Sequence, residues 1–268
     1  MRAAWGHVLP LSTAPVVHNR FVRPRAGAQA GGVLDDLADL LLGARCPGCG
    51  QPGLGVCATC RGRLPRAAAP VADAAALPAG FGCHAAGVHA GELRELLTAH
   101  KDRGSWMLAP TLGELLATAV LPLLDGGPIV LVPLPSSRAA VRRRGYDHSA
   151  ALARAAGARL PGRPRVVATL RRSHRVADQA SLGRDDRARN QRGSMAARPP
   201  GRVGRAVVVD DICTTGASLA EARRALSAAG WQVLGGAVVA QRTHSLPNSS
   251  KTANTAVASG NVAAWHER

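Results

Sequence analysis

The segment Ala206–Ser218, with the sequence AVVVDDICTTGAS, constrains the fold more than any other part of the chain. Its first four residues are apolar and predict a buried parallel strand. Asp210 and Asp211 follow at the carboxyl end of that strand, where open α/β sheets bind their ligands. Ser218 and Glu221 have the spacing of a helix capping box, so we expect a helix to begin there.

The residues that follow complete a βαβ unit. Leu219–Ala229 predicts a helix with an apolar face, and Gly230 is a suitable C-terminal stop for it. Val233–Ala240 predicts the second strand, with a right-handed crossover expected between the two strands. The predicted fold class is therefore α/β.

The loop between strand and helix has the composition of a phosphate site. Backbone N–H groups at a helix N-terminus attract anions, and the hydroxyls of Thr214, Thr215 and Ser218 add donors. Gly216 lets the backbone approach a ligand closely, and Ala217 belongs to the same predicted phosphate loop. The alternative is an ordinary βαβ turn, but two adjacent carboxylates repel unless a diol, a metal or donors relieve them.

The rest of the chain divides into four regions around this unit. We expect a disordered extension over 1–32, a helix and metal module over 33–64, an α/β domain over 81–242 and a disordered tail over 243–268. Residues 61–80 are rich in Ala and Pro and read as a linker. Further helices are predicted at Val33–Leu42, Gly91–His100, Pro110–Leu121 and Ser149–Leu160, strands at Ile129–Leu134 and Arg165–Leu170, and a long loop over 171–204.

Positive charge is concentrated in one stretch of the sequence. The chain carries a formal net charge of +17, and residues 138–205 hold 18 Arg against four Asp. This clustering indicates a polyanionic partner such as a pyrophosphate, a nucleotide or a nucleic acid. The alternative is solvated surface, because the chain has 32 Arg and only two Lys, as a coding bias would produce.

Composition narrows the remaining classes of function. Aromatic residues make up only 3% of the chain, which argues against a stacking platform for single-stranded nucleic acid. We find no run of about 18 apolar residues, so no membrane span is expected. The first 30 residues lack the features of a signal peptide, and a cytoplasmic location is expected.

Four cysteines form two Cys-x-x-Cys pairs, Cys46 with Cys49 and Cys57 with Cys60. Four thiolates can complete a closed tetrahedral site, so we expect structural zinc with no open position for catalysis. A redox pair is the alternative, although it would not need two copies, and disulfides are disfavoured in a cytoplasmic chain. Whether such a module contacts nucleic acid or protein stays open.

The apolar run, two acids, two variable residues and Thr-Thr-Gly at 206–216 resemble the phosphoribosylpyrophosphate fingerprint of type I phosphoribosyltransferases. The resemblance implies a Rossmann-like parallel sheet with flanking helices, and a substrate that comes with Mg²⁺. Asp210 and Asp211 would hold the ribose 2′- and 3′-hydroxyls, and Thr214–Ser218 would cradle the 5′-phosphate. Family members that act on purines often have Asp at the position of Thr214, so the acceptor is open.

Further motifs resemble the ComF family of competence-associated proteins, in which a zinc module precedes this domain. Val132–Arg138 and Arg142–Tyr146 are similar to its first catalytic loop, and Leu93–Gly104 to its Lys-x-Arg-Gly element. By this resemblance pyrophosphate would be bound by Ser136, Arg138, Arg142, Arg144 and Lys101. Gln179, Arg187 and Asn190 would belong to a mobile loop that closes over the site; a basic linker is the alternative there.

Two functions follow as hypotheses. The first is an enzyme that binds 5-phosphoribosyl-1-pyrophosphate and transfers its phosphoribosyl group to an unidentified acceptor, in association with DNA uptake. The second is a non-catalytic accessory protein of DNA uptake that senses nucleotides or binds single-stranded DNA or competence proteins. Salt dependence of DNA affinity would support the second hypothesis.

Overall fold

The computed structural model describes residues 45–72, 74–172 and 193–243. The predicted helix Val33–Leu42, both terminal regions and the expected mobile-loop residues Gln179, Arg187 and Asn190 lie outside these ranges.

The described part of the chain alternates strands and helices, as an α/β sequence pattern predicts. Its helices are α1 (Ala58–Arg63), α2 (Gly91–Asp102), α3 (Ala109–Val120), α4 (Arg138–Arg144), α5 (His148–Gly157) and α6 (Ala217–Ala228). Its strands are β1 (Ala69–Pro70), β2 (Cys83–Val88), β3 (Val130–Pro133), β4 (Arg165–Val166), β5 (Leu170–Arg172), β6 (Met195–Ala197), β7 (Arg205–Cys213) and β8 (Gln232–Gln241).

Six of these strands form one sheet in the order β1-β2-β8-β7-β3-β4. All neighbours in it are parallel except β1, which runs antiparallel to β2 at the edge. Strands β5 and β6 form a separate antiparallel pair. The central strands are nearly continuous apolar runs because both of their faces are buried.

Helices cover both faces of the sheet, so the fold has three layers. On one face α2, α3 and α5 pack against alternate strand residues, with Leu96, Leu116 and Leu152 almost fully buried. On the other face α6 packs with Leu219 and Leu226, and the β5-β6 pair extends that core. The period-two alternation of β7 sends Val207 and Val209 to the first core and Val208 to the second.

The structure differs from the sequence expectations in several places. The expected long loop over 171–204 contains the end of β5 and all of β6. The predicted strand Arg165–Leu170 is two strands, β4 and β5, that belong to different sheets. Strand β7 does not end at Val209 but continues through both aspartates, because it stays paired with β8 as far as Cys213 and Gln241. The expected linker over 61–80 contains the end of α1 and the edge strand β1.

One stretch of the described residues bears on the expectation that the chain has no membrane span. Trp106–Leu123 spans 18 residues with a mean hydropathy of 1.4, so its length and composition are those of a membrane-crossing helix. Half of this stretch is buried, and Leu112, Leu116 and Val120 lie in the core beneath the sheet. Packing of α3 therefore accounts for its apolar composition.

Candidate functional site

The sheet has a topological switch point between β3 and β7. These neighbours pair in parallel, but the chain leaves β3 through α5 toward β4 and leaves β7 through α6 toward β8. Helix α5 packs on one face and α6 on the other. Connections that diverge in this way leave a crevice at the carboxyl ends of the two strands, the usual ligand site of such sheets.

Asp210 and Asp211 lie in this crevice near the carboxyl end of β7, as the sequence predicted. Asp210 is partly buried, whereas Asp211 is only 3% exposed. The Asp211 Oδ1 atom accepts a hydrogen bond of 2.9 Å from the backbone N–H of Ile212. Its Oδ2 atom lies 2.7 Å from Lys101 Nζ and 3.5 Å from His148 Nε2.

The surroundings of the two carboxyl groups shift their pKa values in opposite directions. Burial and the negative charge of Asp211 raise the pKa of Asp210 well above its usual range. Burial also acts to raise the pKa of Asp211, but contacts with His148 and Lys101 outweigh it and hold that pKa below the usual range. Of the two carboxyl groups, Asp211 is therefore the one whose surroundings favour the negative charge.

The lysine side of this ion pair is consistent with the same charge state. Burial alone would lower the pKa of Lys101, but Asp211 and, more weakly, Asp210 and Asp102 raise it instead. Lys101 is at the C-terminal end of α2, 110 residues from its partner in sequence. The sequence suggested Lys101 as a phosphate ligand, and the structure pairs it with a carboxylate.

His148 is a central residue of the site that sequence reasoning did not identify. Its Nδ1 atom lies 2.9 Å from Arg144 Nη1, and a guanidinium can only donate, so Nδ1 accepts and the ring proton is on Nε2. The Nε2 atom lies 3.5 Å from Asp211 Oδ2 and 3.4 Å from Ser149 Oγ. The ring is 5% exposed and is placed by the first turn of α5, whose N-cap Asp147 accepts from the backbone N–H of Ala150.

The loop after β3 contacts the same network. Ser136 donates a 2.9 Å hydrogen bond to Asp147 Oδ1 and lies 3.2 Å from His148 Nδ1. Tyr146 donates to the backbone carbonyl of His100, a buried residue of α2. The network therefore joins the three elements that surround Asp211: α2, the β3 loop and the start of α5.

The phosphate loop has a different helix start from the one predicted. Helix α6 begins at Ala217, and its N-cap is Gly216, with a left-handed φ of 80° and no side-chain cap. The expected capping box of Ser218 with Glu221 is wrong, because Glu221 turns inward, accepts from the backbone N–H of Met195 at 2.9 Å and pairs with Arg224.

The two threonines of the loop face solvent. Thr214 and Thr215 are exposed, and Thr215 Oγ1 accepts from the backbone N–H of Ala217 at 3.4 Å. The second and third amides of α6 have no intrahelical acceptor because they lie in its first turn. These amides and hydroxyls are available to an anion at the carboxyl edge of the sheet.

A segment before β2 supports this loop from outside. The backbone N–H of Ala76 donates to the carbonyl of Thr215 at 3.0 Å. A Cβ atom added at Gly216 would lie 2.6 Å from Leu77 Cγ, so only glycine fits there. No sequence pattern predicts this contact, because Leu77 is 139 residues away from Gly216 in an Ala/Pro-rich stretch.

The predicted pyrophosphate residues fall into two groups. Arg138 and Arg142 are on the exposed surface of α4, next to the switch-point crevice. Arg144 has a side chain only 8% exposed and contacts His148 and, at 4.0 Å, Asp102. Two arginines are thus available to an anion, and the third holds the histidine.

The four cysteines form a compact thiol cluster, as the sequence predicted. Their sulfur atoms all lie within 4.8 Å of one another, and Cys49 and Cys57 Sγ are 3.6 Å apart. Tetrahedral zinc with Zn–S bonds of ~2.3 Å requires sulfur separations of roughly 3.8 Å. The cluster can therefore hold zinc, with Cys46 and Cys60 buried and Cys49 exposed.

The surroundings of Cys46 favour its thiolate. Burial acts to raise its pKa, but backbone N–H groups of Cys57, Gly48 and Cys49 donate to the sulfur and lower the pKa to about 7. A thiolate is the form that binds metal. Gly48 is required by packing, because a Cβ atom there would lie 2.9 Å from Cys60 Sγ.

The cysteine module packs directly on the α/β core. Leu64, just after α1, is 7% exposed and belongs to the core beneath α2 and α3. Arg63 pairs with Glu92 of α2 at 2.9 Å, and Arg61 lies 3.7 Å from Glu114 of α3. The module that could hold the metal therefore packs against α2, the helix that carries Lys101.

Comparison with models of protein families and with curated proteins finds no match to this chain.

Proposed function

We propose that this protein binds 5-phosphoribosyl-1-pyrophosphate at the carboxyl ends of β3 and β7, and transfers the phosphoribosyl group to an acceptor. The observation that carries the proposal is the joint position of the Asp210–Asp211 pair and the glycine-capped start of α6 at the switch point. Carboxylates accept from sugar hydroxyls, and a helix N-terminus binds a phosphate. The resemblance of this segment to the phosphoribosyltransferase fingerprint supports the same ligand.

Each part of the ligand has a counterpart in the site. The ribose hydroxyls would donate to the aspartate pair, and the 5′-phosphate would accept from the first amides of α6 and from Thr214 and Thr215. Arg138 and Arg142 would bind the pyrophosphate, because a guanidinium matches two phosphoryl oxygens. The ComF resemblance adds DNA uptake as the process in which this site would act.

Magnesium would come with the pyrophosphate rather than with the protein. Asp211 already pairs with the Lys101 ammonium, and among the described residues no group of three or more acidic side chains is close enough to hold a cation. Bound to the phosphates, Mg²⁺ would neutralise charge on the leaving group. The Cys46–Cys60 zinc would be structural, since its four thiolates leave no open position.

Catalysis in this site would rest on positioning and charge. The bond from ribose C1 to pyrophosphate breaks and C1 bonds to the acceptor. Pyrophosphate leaves, and the acceptor's proton passes to water or to the departing pyrophosphate. The site would bind both ends of the ligand and stabilise the charge that develops on the leaving group.

Titration calorimetry with phosphoribosylpyrophosphate and Mg²⁺ tests the proposal. We expect micromolar binding to the zinc-loaded protein and about ten- to hundredfold weaker binding to Asp211→Asn, since a charge-assisted hydrogen bond contributes about 1.5–3 kcal/mol. Glu95→Gln, which removes a partly exposed carboxylate that pairs with Arg94 on α2, is the matched control and should bind normally. No binding to folded wild type would refute the proposal; binding would lead to an acceptor screen by pyrophosphate release.

A second candidate function has its own observation. An open cavity of about 340 Å³ beside the edge strand β4 is lined by Arg154, Arg163 and Arg165, none of which pairs with an acid among the described residues. Such a groove suits a nucleic-acid backbone. Single-stranded DNA binding that falls steeply with salt and is unaffected by Asp210→Asn would support a DNA-accessory role at this groove.

A further inference from the structure

The carboxylate of Asp211 is not freely accessible to a ligand hydroxyl. Its Oδ1 atom is occupied by the Ile212 N–H, and its Oδ2 atom is covered by Lys101 at 2.7 Å. The lysine contact is an ion pair without the alignment of a hydrogen bond. Among the described residues, Oδ2 is therefore a buried acceptor that no aligned donor satisfies. Because Oδ2 is buried, a ligand hydroxyl can reach it only if a neighbouring group moves.

Of the two neighbours of Oδ2, only Lys101 can move readily. The His148 side chain is 7% exposed and is held at Nδ1 by Arg144, whose own side chain is 8% exposed. The Lys101 side chain is 36% exposed and is attached to the last turn of α2 through a flexible stem. Displacement of Lys101 would leave a partly buried ammonium, which needs another anion.

We infer that Lys101 changes partner on ligand binding, from Asp211 in the free protein to a second anionic group of the ligand. This inference rests on the proposed function and names the residue that sets its selectivity. A ligand with a diol and one phosphate must break the ion pair without replacing it. A ligand with a diol and a further pyrophosphate replaces it, so the site selects phosphoribosylpyrophosphate over ribose 5-phosphate.

The two anions of the ligand would be bound from different elements. The amides at the start of α6 follow β7 in the chain and would take the 5′-phosphate. Lys101 approaches Asp211 from α2, the opposite side, beside Asp102 and Arg144. Recognition of the diol and recognition of the second anion are thereby coupled through one side chain.

The coupling can be measured on the unaltered protein. We expect inorganic pyrophosphate to strengthen the binding of ribose 5-phosphate at least about fivefold in calorimetry, since reciprocal coupling between two sites is typically 5–150-fold. Absence of coupling, or weaker binding, would overturn the inference while leaving phosphoribosylpyrophosphate binding itself intact. If neither sugar phosphate binds, the proposed function fails and this inference fails with it.

Substitution of the lysine provides the second test. Lys101→Gln should bind ribose 5-phosphate more tightly and phosphoribosylpyrophosphate about tenfold more weakly, whereas Lys101→Arg should keep the selectivity. Arg94→Gln removes one positive charge from the same helix at an exposed pair with Glu95 and is the matched control. If Lys101→Gln changes the affinities for ribose 5-phosphate and phosphoribosylpyrophosphate in the same direction, the exchange of partners is contradicted. Lys101 would then act only as a phosphate ligand or as part of a surface ion pair.

Discussion

Gly216→Ala should destabilise the protein more than its backbone conformation alone would require. The glycine has a left-handed φ of 80°, which costs an alanine about 1–2 kcal/mol. A new Cβ atom would also lie 2.6 Å from Leu77 Cγ and 3.3 Å from Ala74 Cβ, and such overpacking adds about 1–3 kcal/mol. The expected loss in the free energy of unfolding is therefore about 2–5 kcal/mol.

Gly80→Ala is the matched control, because Gly80 has a φ of 74° but nothing within 4 Å of its ideal Cβ position. Urea denaturation should show a loss of about 1–2 kcal/mol for this variant. Adding Leu77→Ala to Gly216→Ala should remove the overpacking, so the two changes together should cost less than their separate costs added. Equal losses for Gly216→Ala and Gly80→Ala would refute the packing of Leu77 on the phosphate loop.

Two further predictions concern the metal and the charge pair. Cys60→Ser should abolish the binding of one zinc per chain, measured by atomic absorption, and lower the thermal midpoint, whereas Cys213→Ser should keep the zinc. Asp210→Asn should raise the free energy of unfolding at pH 7 and Asp211→Asn should lower it. Because the pKa of Asp210 is raised on folding, its ionisation opposes folding as pH rises above about 4. Because the pKa of Asp211 is lowered on folding, its charge stabilises the fold above about pH 4, and this stabilisation is lost as pH falls further. Urea denaturation between pH 4 and 8 measures the free energy of unfolding of both variants. If the stability gained by Asp210→Asn does not grow with pH, the raised pKa of Asp210 is contradicted.

Local sequence patterns predicted the elements that are contiguous in the chain. The strand, loop and helix over 206–229 are present because apolar runs, glycines and polar turn residues act within a few positions. Gly230, with a φ of 89°, follows the last turn of α6 as expected. The cysteine cluster was predictable for the same reason, since its four ligands span only 15 residues.

Sequence patterns failed to predict the strands in which pairing with a neighbouring strand outweighs the low strand propensity of a residue. Aspartate is disfavoured in strands, so the sequence ended β7 at Val209, yet the pairing with β8 extends the strand to Cys213. Proline also argues against a strand, but Pro70 lies at the sheet edge, where a missing N–H costs little. The 61–80 stretch was therefore read as a linker although part of it supports the phosphate loop.

The candidate site was predicted by residue type more successfully than by contact. The sequence predicted that Asp211, Lys101 and Arg144 belong to one site, with the two basic residues as phosphate ligands. In the structure Lys101 pairs with the Asp211 carboxylate and Arg144 contacts His148. His148 was not predicted as a site residue because its partners are Arg144 and Asp211, and no short sequence motif joins the three residues. Such contacts depend on the order of strands in the sheet, which periodicity does not specify.

The aspartate pair is better explained by ligand binding than by stability. Burial and the neighbouring charge raise the pKa of Asp210, so an ionised Asp210 opposes folding at neutral pH. Asp211 is buried with Lys101 and His148, an arrangement that well-packed apolar residues would match or exceed in stability. If Asp210→Asn weakens phosphoribosylpyrophosphate binding and raises the free energy of unfolding, the role of this pair is to bind the ligand. Replacement of a carboxylate with a structural role would instead lower both the affinity and the free energy of unfolding.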